Sequence, residues 1–183
     1  MSIARFSRPV VTFNQPLTLT AFSVDMLLDQ STNPVTPAVQ NANKHIRTNP
    51  ALPGHASNDP IIINALSVNG SPHTPQSLYV EFLWDVTGSE ADAKFFCQVN
   101  LEEIGGSGPS KDKNVSSAAV NFVHLTGLYK DVVSIPIGTG AADLQPGLYT
   151  VTALLFVEVN GPTTGSRNKG LGAFLEVGKI MVA

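Results

Sequence analysis

One cysteine, Cys97, and one tryptophan, Trp84, occur in the 183 residues, and only 14% of the side chains are charged. A lone cysteine excludes an internal disulfide framework and any zinc site built from several thiolates. An average soluble domain is about 25% charged. So sparse a complement, with a net charge of −3, speaks against a nucleic-acid binder that works by neutralising phosphates. It also speaks against a chain kept disordered by charge. Long apolar runs are missing: the longest lies near residues 153–157, far short of the roughly 20 residues a membrane helix needs. No membrane insertion is expected. The N-terminal Met1-Ser2-Ile3-Ala4-Arg5-Phe6-Ser7-Arg8-Pro9 is followed by Thr12, Asn14, Gln15 and Pro16, which break the apolar core of a signal peptide. The expectation is a chain made in soluble form in the cytoplasm without a cleavable leader. An extracellular site and an assembled particle are both compatible destinations.

Hydrophobic residues make up 43% of the chain, enough to bury a sizeable core. They are unevenly spread, and the composition changes near Pro60. Residues 29–60 hold five prolines and five asparagines but few large aliphatics, a mixture that favours turns and extended chain. Within them, Thr36 as an N-cap, Pro37 at the first helical position, and Val39, Ala42 and Ile46 on one face predict a short helix over Thr36–Ile46. Pro9–Phe13 and Leu17–Val24 read as strands divided by Pro16. The organisation expected is an extended N-terminal arm over residues 1–60 and a β domain over 61–183.

From Ile61 onward the pattern is regular. Leu78, Val80, Phe82, Trp84 and Val86 alternate with Tyr79, Glu81, Leu83 and Asp85, and Phe95, Cys97, Val99 and Leu101 alternate with Lys94, Phe96, Gln98 and Asn100. Period-two alternation marks strands with one face in a core. Weaker versions run through Ile61–Val68, Ala118–Thr126, Val132–Ile137 and Phe174–Val182, punctuated by turn signals such as Asn69-Gly70 and Asn160-Gly161-Pro162. The fold class is all-β, a sandwich of immunoglobulin-like or jelly-roll-like type, two architectures that give the same short alternating strands.

The most specific local signal is Leu144-Gln145-Pro146-Gly147-Leu148-Tyr149-Thr150-Val151, a tight turn that delivers a tyrosine to the start of a long strand. With Trp84 as a core tryptophan, it resembles the tyrosine corner of disulfide-free immunoglobulin-like β-sandwich domains. The resemblance implies a structural role for Pro146, Gly147 and Tyr149, whose hydroxyl would bond back to backbone upstream. It implies a fold and no particular activity.

Chemistry-bearing motifs are scarce. His45, His55, His73 and His124 lack the spacing of a metal pair. Gly105-Gly106-Ser107-Gly108 is not a nucleophile elbow. Gly172 and Gly178-Lys179 have the wrong spacing for a phosphate loop and are read as marks of a bulge or an edge. Asp85, Glu90 and Asp92 cluster between two strands without the order of an EF-hand loop, and read as a solvated loop. Residues 1–60 carry four basic and three acidic groups, too balanced for a genome-binding tail. No catalytic residue, cofactor or metal is expected.

What remains is the arm. An isolated strand is marginal in water, so the N-terminal strands must pair either with this chain's own sheet or with a neighbour's open edge. The favoured expectation is a non-enzymatic structural subunit whose partners are copies of itself, a homo-oligomer, filament or shell. Val10, Val11, Phe13, Leu17, Leu19 and Phe22 would form the inter-subunit arm. The alternative is a monomeric ligand-binding module that takes a carbohydrate or another polar ligand at the loops of one end.

Overall fold

A computed structural model describes residues 17–28, 44–47, 61–63, 76–88, 92–106, 111–123, 128–138, 140–160 and 165–182. They form ten strands in two sheets and no helix. The strands are β1 (Thr18–Leu28), β2 (Lys44–Arg47), β3 (Ile61–Ile63), β4 (Gln76–Thr87), β5 (Lys94–Glu103), β6 (Lys113–Ser116), β7 (Val120–Asn121), β8 (Leu128–Ile137), β9 (Gly147–Asn160) and β10 (Arg167–Val182). One sheet has the order β2-β1-β4-β8. The other runs β3-β10-β9-β5-β6, with β7 also paired to β5. Pairing is antiparallel except where β3 lies parallel beside β10.

The alternation read from the sequence sets which face of each strand is covered. Leu78, Val80, Phe82, Trp84 and Val86 of β4 are buried, as are Phe95, Cys97, Val99 and Leu101 of β5. On β9 the run Tyr149, Val151, Ala153, Leu155, Val157 and Val159 does the same. Residues from both sheets belong to one core. Across it Trp84 of β4 meets Phe95 of β5 with ring centroids 5.5 Å apart, and stacks on Tyr129 of β8 at 5.5 Å and 13°. Offset stacked and tilted aromatic pairs of this kind add about 0.5–1.5 kcal/mol beyond the area they bury.

β1 runs antiparallel along β4 from Thr18↔Thr87 to Leu28↔Leu78, with Phe22, Val24 and Met26 in the core. A division at residue 60 therefore places this strand on one side and its sheet on the other. Within the single chain, β1 is paired to β4. The helix expected over Thr36–Ile46 does not extend to its last residues. Lys44–Arg47 form β2 and pair with Met26–Leu28; the rest of that segment lies outside the described residues. Capping chemistry can start a helix, but one of about ten residues is marginal alone, and the backbone edge of β1 offers hydrogen bonds at once. Of the strand expected over Ala118–Thr126, Val120 and Asn121 form β7 among the described residues, and 124–126 lie outside them.

Candidate functional site

Tyr149 enters the core at the first turn of β9. Its hydroxyl donates to the Gln145 carbonyl at 2.9 Å, four residues upstream, and the side chain is fully buried. Gly147 makes the close turn possible: a Cβ there would stand 3.1 Å from the Tyr149 hydroxyl and 3.2 Å from Glu103 Oε1. Lys111 holds the outside of the turn, donating to the Pro146 carbonyl at 2.9 Å and pairing with Glu103 at 3.3 Å. Burial, and then the neighbouring charges of Glu103 and Asp112, push the Tyr149 phenol above its ordinary pKa. The group is a structural tie.

A second polar island lies between the sheets. Cys97 is buried on β5, its backbone N–H donating to the Ser117 hydroxyl at 3.3 Å. Burial, reinforced by the Asp131 charge, pushes the thiol far above its usual range. A thiol held protonated is a poor nucleophile and a poor metal ligand. Asp131 Oδ1 accepts the N–H of Val132 at 2.9 Å, while Asp131 Oδ2 and Trp84 Nε1 are buried without a hydrogen-bond partner among the described residues.

Leu17 and Leu19 are partly buried against the core and Phe22 is buried in it, whereas Val10, Val11 and Phe13 lie outside the described residues. So do His55, His73, His124 and Glu90. Asp92 accepts the Asn160 amide at 2.8 Å, and its carbonyl takes Arg167 Nη2 at 2.7 Å; Asp85 sits apart on β4. Among the described residues no three His, Cys, Asp or Glu side chains converge. No helix among them is long and apolar enough to cross a membrane.

Sheet edges are partly closed. β8 borders its sheet, yet Asp131 caps Val132, and the loop before β9 returns to give Leu144 N–H to the Pro136 carbonyl at 2.7 Å. Such devices blunt an edge against strand addition. Leu128 and Val123 are the most exposed large apolar side chains at that end, 66% and 54%.

The surface that sequence reasoning missed is the outer face of the six-stranded sheet. Phe96 of β5 lies opposite Phe156 of β9, and Phe156 opposite Leu171 of β10. The next row is Gln98, Leu154 and Phe174. Phe174 is 38% exposed and the other apolar members of these rows are half-buried. Lys169 lays its ammonium 4.2 Å from the Phe96 ring centre and 5.0 Å from that of Phe156. The signal was present in β9, where Leu148, Leu154 and Phe156 fill the positions alternate to the core set. A strand apolar on both faces is covered, or asks to be covered, on both.

No protein-family model matches the chain, and no curated protein matches it.

Proposed function

We propose that the chain is a non-enzymatic structural subunit, an immunoglobulin-like sandwich that assembles with copies of itself. The fold part of this reading draws on strand order. With β1, β4 and β8 standing for strands A, B and E, and β5, β6, β9 and β10 for C, C′, F and G, the sheets read A-B-E and G-F-C-C′, as in immunoglobulin-like domains. The tyrosine then stands at the start of F and bonds upstream, its place in such domains. The tryptophan is displaced: Trp84 lies on B rather than C. Hairpins that keep β9 with β10 and β5 with β6 in one sheet favour this order over a jelly roll.

The observation that carries the assembly reading is the apolar outer face of β5, β9 and β10. Aromatic and aliphatic groups grouped on one sheet face mark an interaction surface, and a low charge complement does little to keep copies apart. With β1 engaged in its own sheet and β8 partly closed, contact through a face is favoured over strand exchange. The chemically versatile side chains support a non-catalytic role, since the Cys97 thiol is held protonated and the Tyr149 hydroxyl is tied to backbone.

Size-exclusion chromatography with light scattering, over micromolar to millimolar concentration, tests the reading. The expected result is a defined species larger than the monomer whose share grows with concentration; a monomer throughout overturns it. Because β1 contributes Phe22, Val24 and Met26 to the core, the arm is tested by removing residues 1–16 rather than 1–28.

A further inference from the structure

We infer that the partner on this face is a second copy related by a twofold axis lying in the face and perpendicular to the strands. The inference rests on the self-assembly reading above and specifies its geometry. The charges on the face are distributed about its apolar rows. On β5, Lys94 and Glu102 both point outward, eight residues apart, with Gln98 midway. On β10, Lys169 stands opposite Glu158 of β9, and Glu176 opposite Thr152. Their midpoint on β9 falls at Leu155, while Gln98 pairs with Leu154. Two lysine–glutamate pairs on different strands are therefore centred on the same level of the sheet to within one residue. The apolar rows of Phe96, Phe156, Leu154, Leu171 and Phe174 gather at and beside that level.

A face with a basic end and an acidic end complements itself only when turned end for end. Rotation about the perpendicular in-plane axis does this: β5 lies over β5 and β10 over β10, reversed, so Lys94 comes over the Glu102 of the other copy and Lys169 approaches its Glu176. Glu158 at the basic end is already neutralised by Arg167, which leaves the two lysines as the charges available there. At the acidic end Lys179 shares a row with Glu102 and weakens that end without reversing it. Rotation about an axis along the strands would put like ends together, which costs affinity. Such an arrangement is isologous and closes as a dimer.

Size sets the strength. Eight residues at about 3.3 Å and three strands at about 4.8 Å give a flat footprint on the order of 400 Å² per copy, below the roughly 800 Å² of a standard interface. The dimer is accordingly weak and concentration-dependent, and becomes firm only where a larger assembly holds many copies at once.

The test uses two full-length variants in sedimentation equilibrium. Lys94→Glu with Lys169→Glu makes both ends acidic; Glu102→Lys with Glu176→Lys makes both ends basic. Each alone should weaken self-association at least tenfold, and an equimolar mixture should restore it as a heterodimer. Phe174→Ser, at the most exposed ring, should weaken association of a chain that still unfolds in one cooperative thermal transition. If the unaltered chain associates but neither charge reversal changes it, or if the mixture is not restored, the twofold arrangement is overturned and the assembly reading stands. If the unaltered chain is a monomer to millimolar concentration, both fall. Should that monomer instead be retained on an insoluble polysaccharide in a way that Phe174→Ser abolishes, the face belongs to a carbohydrate and the twofold inference is likewise overturned.

Discussion

Replacing Tyr149 by Phe removes one oxygen from the fold and leaves the ring in place. That oxygen donates to the Gln145 carbonyl at 2.9 Å from a side chain with no exposed surface. A hydrogen bond of this kind contributes about 0.5–1.5 kcal/mol net, and more when its loss strands a buried acceptor. Gln145 is only half-buried, so water can replace part of the bond, and the expected cost of Tyr149→Phe is about 1–2 kcal/mol. For a chain of this length that corresponds to a fall in Tm of about 3–6 °C, and to a urea midpoint lower by about 0.5 M. Because burial raises the phenol's pKa in the folded state, the unfolded chain ionises first as pH rises. The hydroxyl's contribution is complete below the unfolded phenol's pKa, about 10, and is lost as pH climbs above it. Urea unfolding of both proteins at pH 7 and above pH 10 measures both effects. A difference below about 0.3 kcal/mol at pH 7, or a gap that does not narrow at high pH, would refute the role given to the corner.

Three further perturbations follow from the same geometry. Gly172 lies where the β9–β10 register shifts, and a Cβ there would stand 2.9 Å from Val157 Cγ2 and 3.3 Å from the Leu155 carbonyl; Gly172→Ala should cost about 1–3 kcal/mol, read by thermal denaturation, and a neutral result would show that the strands can part there. Gly147→Ala brings its methyl against the Tyr149 hydroxyl and Glu103, so it should destabilise the wild type by more than it destabilises Tyr149→Phe, a coupling measurable in a double-mutant cycle. Cys97 should resist thiol reagents in the native protein and react on unfolding. Its folded pKa is raised by burial and by Asp131, so stability should fall above the unfolded thiol's pKa, about 8.5, by up to about 1.4 kcal/mol per pH unit. Cys97→Ala should remove that fall.

The strands that sequence reading placed well are those with a strict inward set. β4 and β5 could be written down from Leu78 to Val86 and from Phe95 to Leu101 because every second residue is large and apolar. The turn before β9 is legible for a different reason: Pro146, Gly147 and Tyr149 lie close together in sequence, and the tyrosine hydroxyl reaches back only to the Gln145 carbonyl. Gly172 and Gly178 mark a bulge or an edge in the sequence pattern, and the register of β10 shifts between Leu171 and Ala173 and between Glu176 and Gly178. The placement of β1 was not legible, since its apolar residues suit this chain's sheet and a neighbour's equally, and pairing partners are not written in periodicity. The shortness of β7 was hidden as well. Phe122 is held by its N–H to the Ala93 carbonyl, and Val123 by the Tyr129 hydroxyl at 3.0 Å, contacts between residues distant from one another or joined through a side chain.

The two outer faces differ in composition. On the four-stranded sheet the outward positions include Ser23 and Asp25 of β1, Glu81 and Asp85 of β4, and Lys130 and Ser134 of β8, with Lys130 bridging to Glu81 at 2.6 Å. Lys130 and Glu81 satisfy one another, and covering such a pair would cost desolvation that exposed ion pairs return poorly. On the six-stranded sheet the same kind of position holds Phe96, Leu154, Phe156, Leu171 and Phe174, and the ammonium of Lys169 lies across two of the rings. A lysine in that position shields the rings in the monomer and can swing to a carboxylate when a second surface arrives, because its stem stays on the rings while its head turns. The outer face of the four-stranded sheet thus mixes charged groups with Tyr79, Leu83 and Val132, whereas that of the six-stranded sheet groups its apolar side chains in two adjacent rows. Under the proposed assembly, contact through the second face would leave the first exposed, so the charge reversals at Lys94, Lys169, Glu102 and Glu176 should act on association while a change at Lys130 should not.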